Sequence, residues 1–170
     1  DILSDLEPAV ARYYTIGGKL YSMPFNSSAP VMYFNKNAFK ESGLDPEKTV
    51  WTYDEVIAAA QKLTKKDSSG KVTQYGAGFT LYSWLFEQEL ATQGALFASP
   101  DNGRNTRATK LIFNNEGGVN WLNFLKKLQD DGSAKSFGKD GGANSSSRDA
   151  AFVSGEVVMT FNSIAALRGY

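Results

Sequence analysis

The 170-residue chain has no cysteine and no histidine. That double absence excludes thiol nucleophiles, thiolate zinc sites, disulfides and imidazole acid–base or metal chemistry together. Any catalysis within these residues would run on carboxylates, Lys, Tyr or Ser. A dominant charge sign is missing too. Lys plus Arg and Asp plus Glu each total 18, and neither sign runs in a block, so no net field draws the chain to nucleic acid or to an anionic bilayer. Long apolar runs are also lacking: the longest is the five residues Val56–Ala60, against the ~20 that a membrane-spanning helix needs. What is present suits a packed core. Hydrophobic residues make up 42% of the chain and charged residues only 21%, which excludes intrinsic disorder, and at roughly 150 residues per domain the length suits one domain.

Strand and helix patterns alternate along the chain. Residues 3–14 carry helical spacing, a tight turn at Ile16-Gly17-Gly18-Lys19 leads into an extended run over residues 20–25, and a second extended run follows over residues 31–34. Asn35 to Ser42 reads as a short helix closed by Gly43. Thr52-Tyr53-Asp54-Glu55 fits a capping box, with Val56, Ile57, Ala60 and Leu63 marking the buried face of a helix that reaches the cations Lys65-Lys66. A strand is expected over residues 72–80 and a helix over 83–93, stopped by Gly94. Val119, Leu122, Leu125 and Leu128, widened by Trp121 and Phe124, predict a helix ended by Gly132. Residues 133–147, rich in Gly and Ser, read as a mobile loop, residues 148–154 as a short helix, residues 157–161 as a last strand, and residues 162–170 as a helix just beginning. This alternation argues an α/β fold with a mostly parallel sheet covered by helices on both faces.

Several motifs fail on inspection. Gly76-Ala77-Gly78 follows a strand as a dinucleotide fingerprint does, but Leu81 stands where the third glycine belongs. Ser68/Lys71 and Ser136/Lys139 have the spacing of a Ser–Lys dyad but lie in glycine-bearing stretches without helical geometry. The carboxylate pairs Asp130-Asp131 and Asp45/Glu47 sit at a helix end and a turn, where solvated acids are routine. Asp101-Asn102-Gly103 opens like a calcium loop, yet no matching ligands follow. No metal and no cofactor is expected.

Polar and aromatic residues at strand ends remain. Asn26-Ser27-Ser28 is bracketed by Pro24 and Pro30, which restrain the segment and aim its hydroxyl and N–H groups outward. Asn162 and Ser163 sit where the last strand passes into the last helix, an arrangement that offers a hydroxyl and helical N–H groups to an anion or hydroxyl. Tyr82 and Trp84 flank a strand-to-helix passage, where aromatic faces stack on sugar-like ligands. Each one alone reads as a turn, a cap or a core residue. Together, at strand ends of an α/β chain, they point to a ligand cleft.

The ordered phrases that run through the chain resemble a family-1 extracellular solute-binding protein, the ligand receptor of an ABC importer. They are Gly18–Ser28, Val31–Lys36 with Ala38-Phe39, Gly43–Pro46, Trp51–Glu55 with Ala58–Thr64, Asp67–Gly78 and Ala151–Met159. Pro24–Ser28 is most similar to the glycerol-3-phosphate-binding branch. The resemblance implies ligand contacts from Ser28 and Ser163. Ala29, Ile164 and the single tryptophan of residues 80–84 depart from that branch. It further implies a type II periplasmic-binding-protein lobe that is part of a two-lobed protein, with residues 1–24 forming the end of the first lobe and a crossover, and residues 25–170 most of the second. The absence of Met or a leader at Asp1 and the short last helix fit a chain truncated at both ends. By the same resemblance the protein is bacterial and extracytoplasmic, catalyses nothing, binds a glycerol phosphate, glycerophosphodiester or sugar, and works with permease subunits. It meets the membrane only through them or through a lipid anchor. A maltose-type ligand is the alternative within the family. From another class, a carboxylate-dependent glycoside hydrolase would need two acids facing one pocket about 5 to 9.5 Å apart, and an interaction module would bury Tyr82 and Trp84 and put Ser28 and Ser163 on different faces.

Overall fold

The computed structural model describes residues 2–170. Pro8 splits the expected first helix: a 3-10 turn over Ile2–Asp5 precedes α1, Pro8–Tyr13, where the proline takes the first helical position and its missing N–H costs nothing. Strands β1 (Thr15–Ile16) and β2 (Lys19–Leu20) form an antiparallel hairpin. Its turn residues Gly17 and Gly18 have φ of 57° and 76°, the left-handed pair that a two-residue hairpin loop demands. The extended run expected over residues 20–25 ends at Leu20, and residues 21–29 are neither helix nor strand.

Next come β3 (Pro30–Phe34), α2 (Lys36–Glu41) and α3 (Tyr53–Leu63). Asn35 caps α2, its side chain accepting from the N–H groups of Asn37 and Ala38, and the predicted capping box of Thr52 and Glu55 is fully formed. The helix stops at Leu63 rather than at the lysines. Lys65–Lys66 is a short strand, β4, antiparallel to β5 (Val72–Leu81). Helix α4 (Ser83–Thr92), a small hairpin of β6 (Ala98–Ser99) and β7 (Lys110–Leu111), and α5 (Glu116–Asp130) follow. On α5 the buried face is Trp121, Phe124, Leu125 and Leu128, while Val119 and Leu122 are exposed. A three-residue repeat lags the helix by about 60° at each step, so its ends face opposite ways.

The polar stretch expected to be a mobile loop is structured. It forms β8 (Ala134–Lys139) and the first half of α6 (Gly142–Val153), which starts six residues before the predicted helix. Composition hid β8 because it is an edge strand pairing only with β5, and an edge tolerates polar residues that a central strand does not. Strand β9 (Val157–Ser163) outruns its prediction by two residues, and the expected last helix is a 3-10 segment, Ile164–Gly169.

Strands β8, β5 and β9 run parallel within one sheet, with β3 antiparallel to β9 and β4 antiparallel to β5. Val157, Val158, Met159 and Thr160 of β9 are all buried, as expected of a strand covered on both faces. Helices α3 and α5 pack on one face, and α6 packs against β5, β8 and β9. Their side chains Ile57, Ala60, Leu63, Phe124 and Leu128 join Phe39, Ala77, Phe79 and Met159 in one core.

The Gly-Ala-Gly of β5 serves this packing. A Cβ at Gly76 would lie 1.9 Å from the Ala60 carbonyl oxygen of α3, and one at Gly78 would lie 2.6 Å from a Val157 methyl group. Glycine is there to let the helix and sheet approach, and no phosphate loop is formed.

Candidate functional site

Because β5, β8 and β9 are parallel, their C-terminal ends at Leu81, Lys139 and Ser163 open on the same edge of the sheet. Strand β3 runs the other way and begins there, Pro30 pairing with Ser163. The bracketed segment before it therefore joins the same edge, which is where ligands settle on α/β sheets.

Ser28 and Ser163, 135 positions apart, meet there, their hydroxyls hydrogen-bonded to each other. The Ile164 N–H to the Ala29 carbonyl, 3.0 Å, holds the two segments together. Ser163 Oγ also accepts from the Ala165 N–H at 3.0 Å. Of the two hydroxyl protons, only one is spent on the mutual bond, so the pair keeps one O–H for an oxygen acceptor arriving from solvent. Asn26 and Ser27 are exposed on the same segment. Tyr82 and Trp84 follow β5 with ring centroids 5.6 Å apart; Tyr82 is exposed and Trp84 half-buried.

Two expectations change. The 3-10 segment after Ser163 has six residues, too short for an N-terminal dipole to hold an anion, and Ser163 itself caps it. Asn162 turns inward: its Oδ1 accepts the Ser163 N–H at 2.8 Å, and its Nδ2 donates to the Tyr170 hydroxyl at 2.8 Å and to Asp149 Oδ1 at 3.4 Å. These bonds tie Asn162 to Ser163, Tyr170 and Asp149.

Behind Asn162 lies a network that sequence reasoning missed. Arg148, 3% exposed, donates to Thr80 Oγ1 at 3.0 Å, Asp140 Oδ1 at 3.3 Å and, from two nitrogens, to Asp149 Oδ1 at 2.8 and 3.0 Å. Thr80 donates to Asp140 at 2.6 Å and the Tyr170 hydroxyl donates to Asp149 at 2.5 Å. Burial, and then the bond to Asp149, push the Tyr170 phenol up to about 12. The network ties the ends of β5 and β8 to α6 and to the segment after β9, and Tyr33 adds a 2.9 Å bond to the Ser163 carbonyl. An arginine inside a Gly- and Ser-rich stretch was its only signal in the sequence.

The rejected motifs are occupied elsewhere. Asp131 accepts from Gln61 and Ser133, Asp130 pairs with Lys126, Asp45 caps Glu47, and Glu47 pairs with Lys36. Asn102 accepts from the N–H groups of Phe97 and Ala98. Ser136 and Lys139 lie on strand β8 with a break in register between them at Gly138, φ 78°, so no helical turn sets the lysine behind the serine.

The family profile of the bacterial extracellular solute-binding proteins matches residues 1–169. The sn-glycerol-3-phosphate-binding periplasmic protein of Yersinia pestis is 35% identical over 169 residues, 96% of this chain but 36% of that protein. Its Escherichia coli counterpart is 37% identical over 132 residues, 76% of this chain and 29% of that protein. This chain thus spans about a third of their length. Among solved structures, the Listeria monocytogenes ABC substrate-binding protein in complex with cycloalternan superposes with a TM-score of 0.72 at 23% identity, covering 96% of this chain and 39% of that one. The Mycobacterium tuberculosis UgpB in complex with glycerophosphocholine gives 0.68 at 19% identity, covering 98% and 38%.

Proposed function

This chain belongs to the bacterial extracellular solute-binding proteins, and from that premise we propose that it forms most of one lobe of an ABC importer's ligand receptor. In this reading residues 1–24 end the first lobe and make a crossover, and residues 25–170 are the second lobe. The whole protein works outside the cytoplasm, closes on its ligand by hinge motion between lobes, delivers it to permease subunits and catalyses no reaction. The observation that carries the reading is the meeting of Ser28 and Ser163 at the C-terminal edge of the sheet. Separation of those serines was the mark of a mere interaction module. A hydrolase loses support because, among the described residues, the groove lined by Trp51, Tyr53 and Trp121 holds one acid, Glu89, and none of Asp45, Glu47, Asp130 and Asp131.

The ligand is glycerol 3-phosphate or a glycerophosphodiester, as the names of the relatives suggest. The free hydroxyl of the serine pair donates to a phosphate or hydroxyl oxygen. Arg148 is committed to Asp140 and Asp149, so it is not the cation that meets a phosphate. A sugar is the second reading, favoured by the Tyr82–Trp84 pair, whose faces suit a carbon skeleton.

Thermal unfolding of the full-length protein tests both, since a ligand at 100 times its Kd adds about 2.7 kcal/mol of stability. We expect glycerol 3-phosphate or glycerophosphocholine to raise Tm, and Ser28→Ala to abolish the shift. A shift with maltose alone transfers the site to sugars. No shift with any of them removes the ligand assignment.

A further inference from the structure

Ser163 ends β9 where strand pairing runs out. Its partner across the ladder is Pro30, which has no N–H to give to the Ser163 carbonyl, and on the other side the pairing of β9 with β5 stops at Thr160. Side chains take over from the sheet there. Asn162 Oδ1 accepts the Ser163 N–H at 2.8 Å, and the Tyr33 hydroxyl donates to the Ser163 carbonyl at 2.9 Å. Tyr33 stands opposite Thr160 in the β3–β9 ladder, so its phenol reaches three residues further along β9 than its own backbone does. Its ring packs edge-to-face on Tyr170, with centroids 4.7 Å apart, and lies 6.4 Å from that of Phe152 on α6. The Tyr170 hydroxyl accepts in turn from Asn162 Nδ2 at 2.8 Å. The two peptide groups that flank the Ser163 side chain are thus both held by side chains.

We propose that Tyr33 is a positioning residue of the ligand site and acts through Ser163. Holding the Ser163 carbonyl fixes the peptide frame from which the hydroxyl meets Ser28 and the ligand. This role presupposes the reading of Ser28 and Ser163 as ligand contacts. A hydroxyl on a fixed frame needs no ordering when the ligand arrives, and that saving appears as affinity. Positioning differs from packing in two respects. The Tyr33 ring fills the same space beside Tyr170 and Phe152 with or without its O–H, so Tyr33→Phe keeps the packing and removes one bond. The amides around Ser163 form a run whose bonds depend on that frame: Ser163 N–H to Asn162, Ile164 N–H to the Ala29 carbonyl at 3.0 Å, and Ala165 N–H to Ser163 Oγ at 3.0 Å. Loosening the frame opens the run, while residues 157–160 of β9 lie beside β5 and remain closed.

The test uses the full-length protein with Tyr33→Phe and with Tyr33→p-aminophenylalanine, which returns an N–H donor to the place of the O–H. Amide hydrogen exchange read by mass spectrometry should quicken over residues 163–165 in the Phe variant, stay unchanged over residues 157–160, and be restored by the amino variant. Calorimetry with glycerol 3-phosphate, glycerophosphocholine and maltose supplies the second readout. Whichever probe the unsubstituted protein takes should bind the Phe variant about 3- to 10-fold more weakly, the net worth of one hydrogen bond, and should regain affinity in the amino variant. Unchanged exchange at residues 163–165 overturns the proposal. So does exchange that quickens equally in both stretches, unchanged affinity in the Phe variant, or a loss that the restored donor leaves in place. Binding of none of the probes by the unsubstituted protein, beside the expected exchange pattern, overturns the ligand reading and leaves the hold of Tyr33 on Ser163 standing.

Discussion

At the scale of single residues, the serine pair is backed by a chain of polar groups that leads to the buried Arg148. Ser163 is oriented by Asn162, Asn162 shares Asp149 with Tyr170, and Asp149 is held by Arg148. Ser28 and Ser163 were singled out in the sequence by their places at the ends of two extended runs, and their contact is what the fold adds. Arg148 was not, because an arginine beside Gly and Ser looks like solvated loop until tertiary contacts bury it. Tyr170 offers a readout. Its folded pKa of about 12 lies above the ordinary 10.0, so the folded state holds that proton more tightly than the unfolded chain. Its contribution is present below the ordinary value and declines as pH rises through that window. Asp149→Asn should move the tyrosinate absorbance change of Tyr170 downward without restoring the ordinary value, since burial is the larger cause. A titration unmoved by the substitution would show that Asp149 does not hold the phenol.

At the scale of elements, two kinds of signal differ in strength. The α3 capping box was readable from four adjacent residues because capping is local chemistry. The role of Gly76 was not, since it is defined by Ala60 of another element, 16 positions away. Their energies should differ accordingly. Thr52→Ala removes one cap and should cost about 1 kcal/mol. Gly76→Ala drives a methyl group into backbone and should cost about 3 kcal/mol or more, because neither α3 nor β5 can yield without disturbing the core. Urea unfolding followed by circular dichroism gives both values, and equal losses would contradict the close helix–sheet approach. The edge strand β8 belongs to the same lesson: its polar residues are satisfied at the rim, Lys135 pairing with Glu156 at 2.5 Å, and only pairing with β5 makes it a strand.

At the scale of the whole molecule, the segment before β3 leaves a run of apolar side chains uncovered. Tyr21, Met23 and Phe25 are exposed there, Phe25 at 97%. With a formal net charge of zero, little electrostatic repulsion keeps such surfaces apart. Residues 1–170 expressed alone should therefore self-associate, with a sedimentation coefficient that rises with concentration, and Met23→Ser with Phe25→Ser should reduce that rise. A monomer at all concentrations would mean that this segment is not adhesive enough to need a partner.

The α/β alternation, the capped helices and the exclusion of thiol and imidazole chemistry were determined by the sequence itself, because composition, periodicity and capping act over one or two turns of chain. Only the tertiary structure decided that residues 133–147 are ordered, that Asn162 faces inward, that Arg148 is buried and that Ser28 touches Ser163. Each of those outcomes depends on which strands lie side by side, and strand neighbours are chosen by burial of the whole core rather than by any local run of residues.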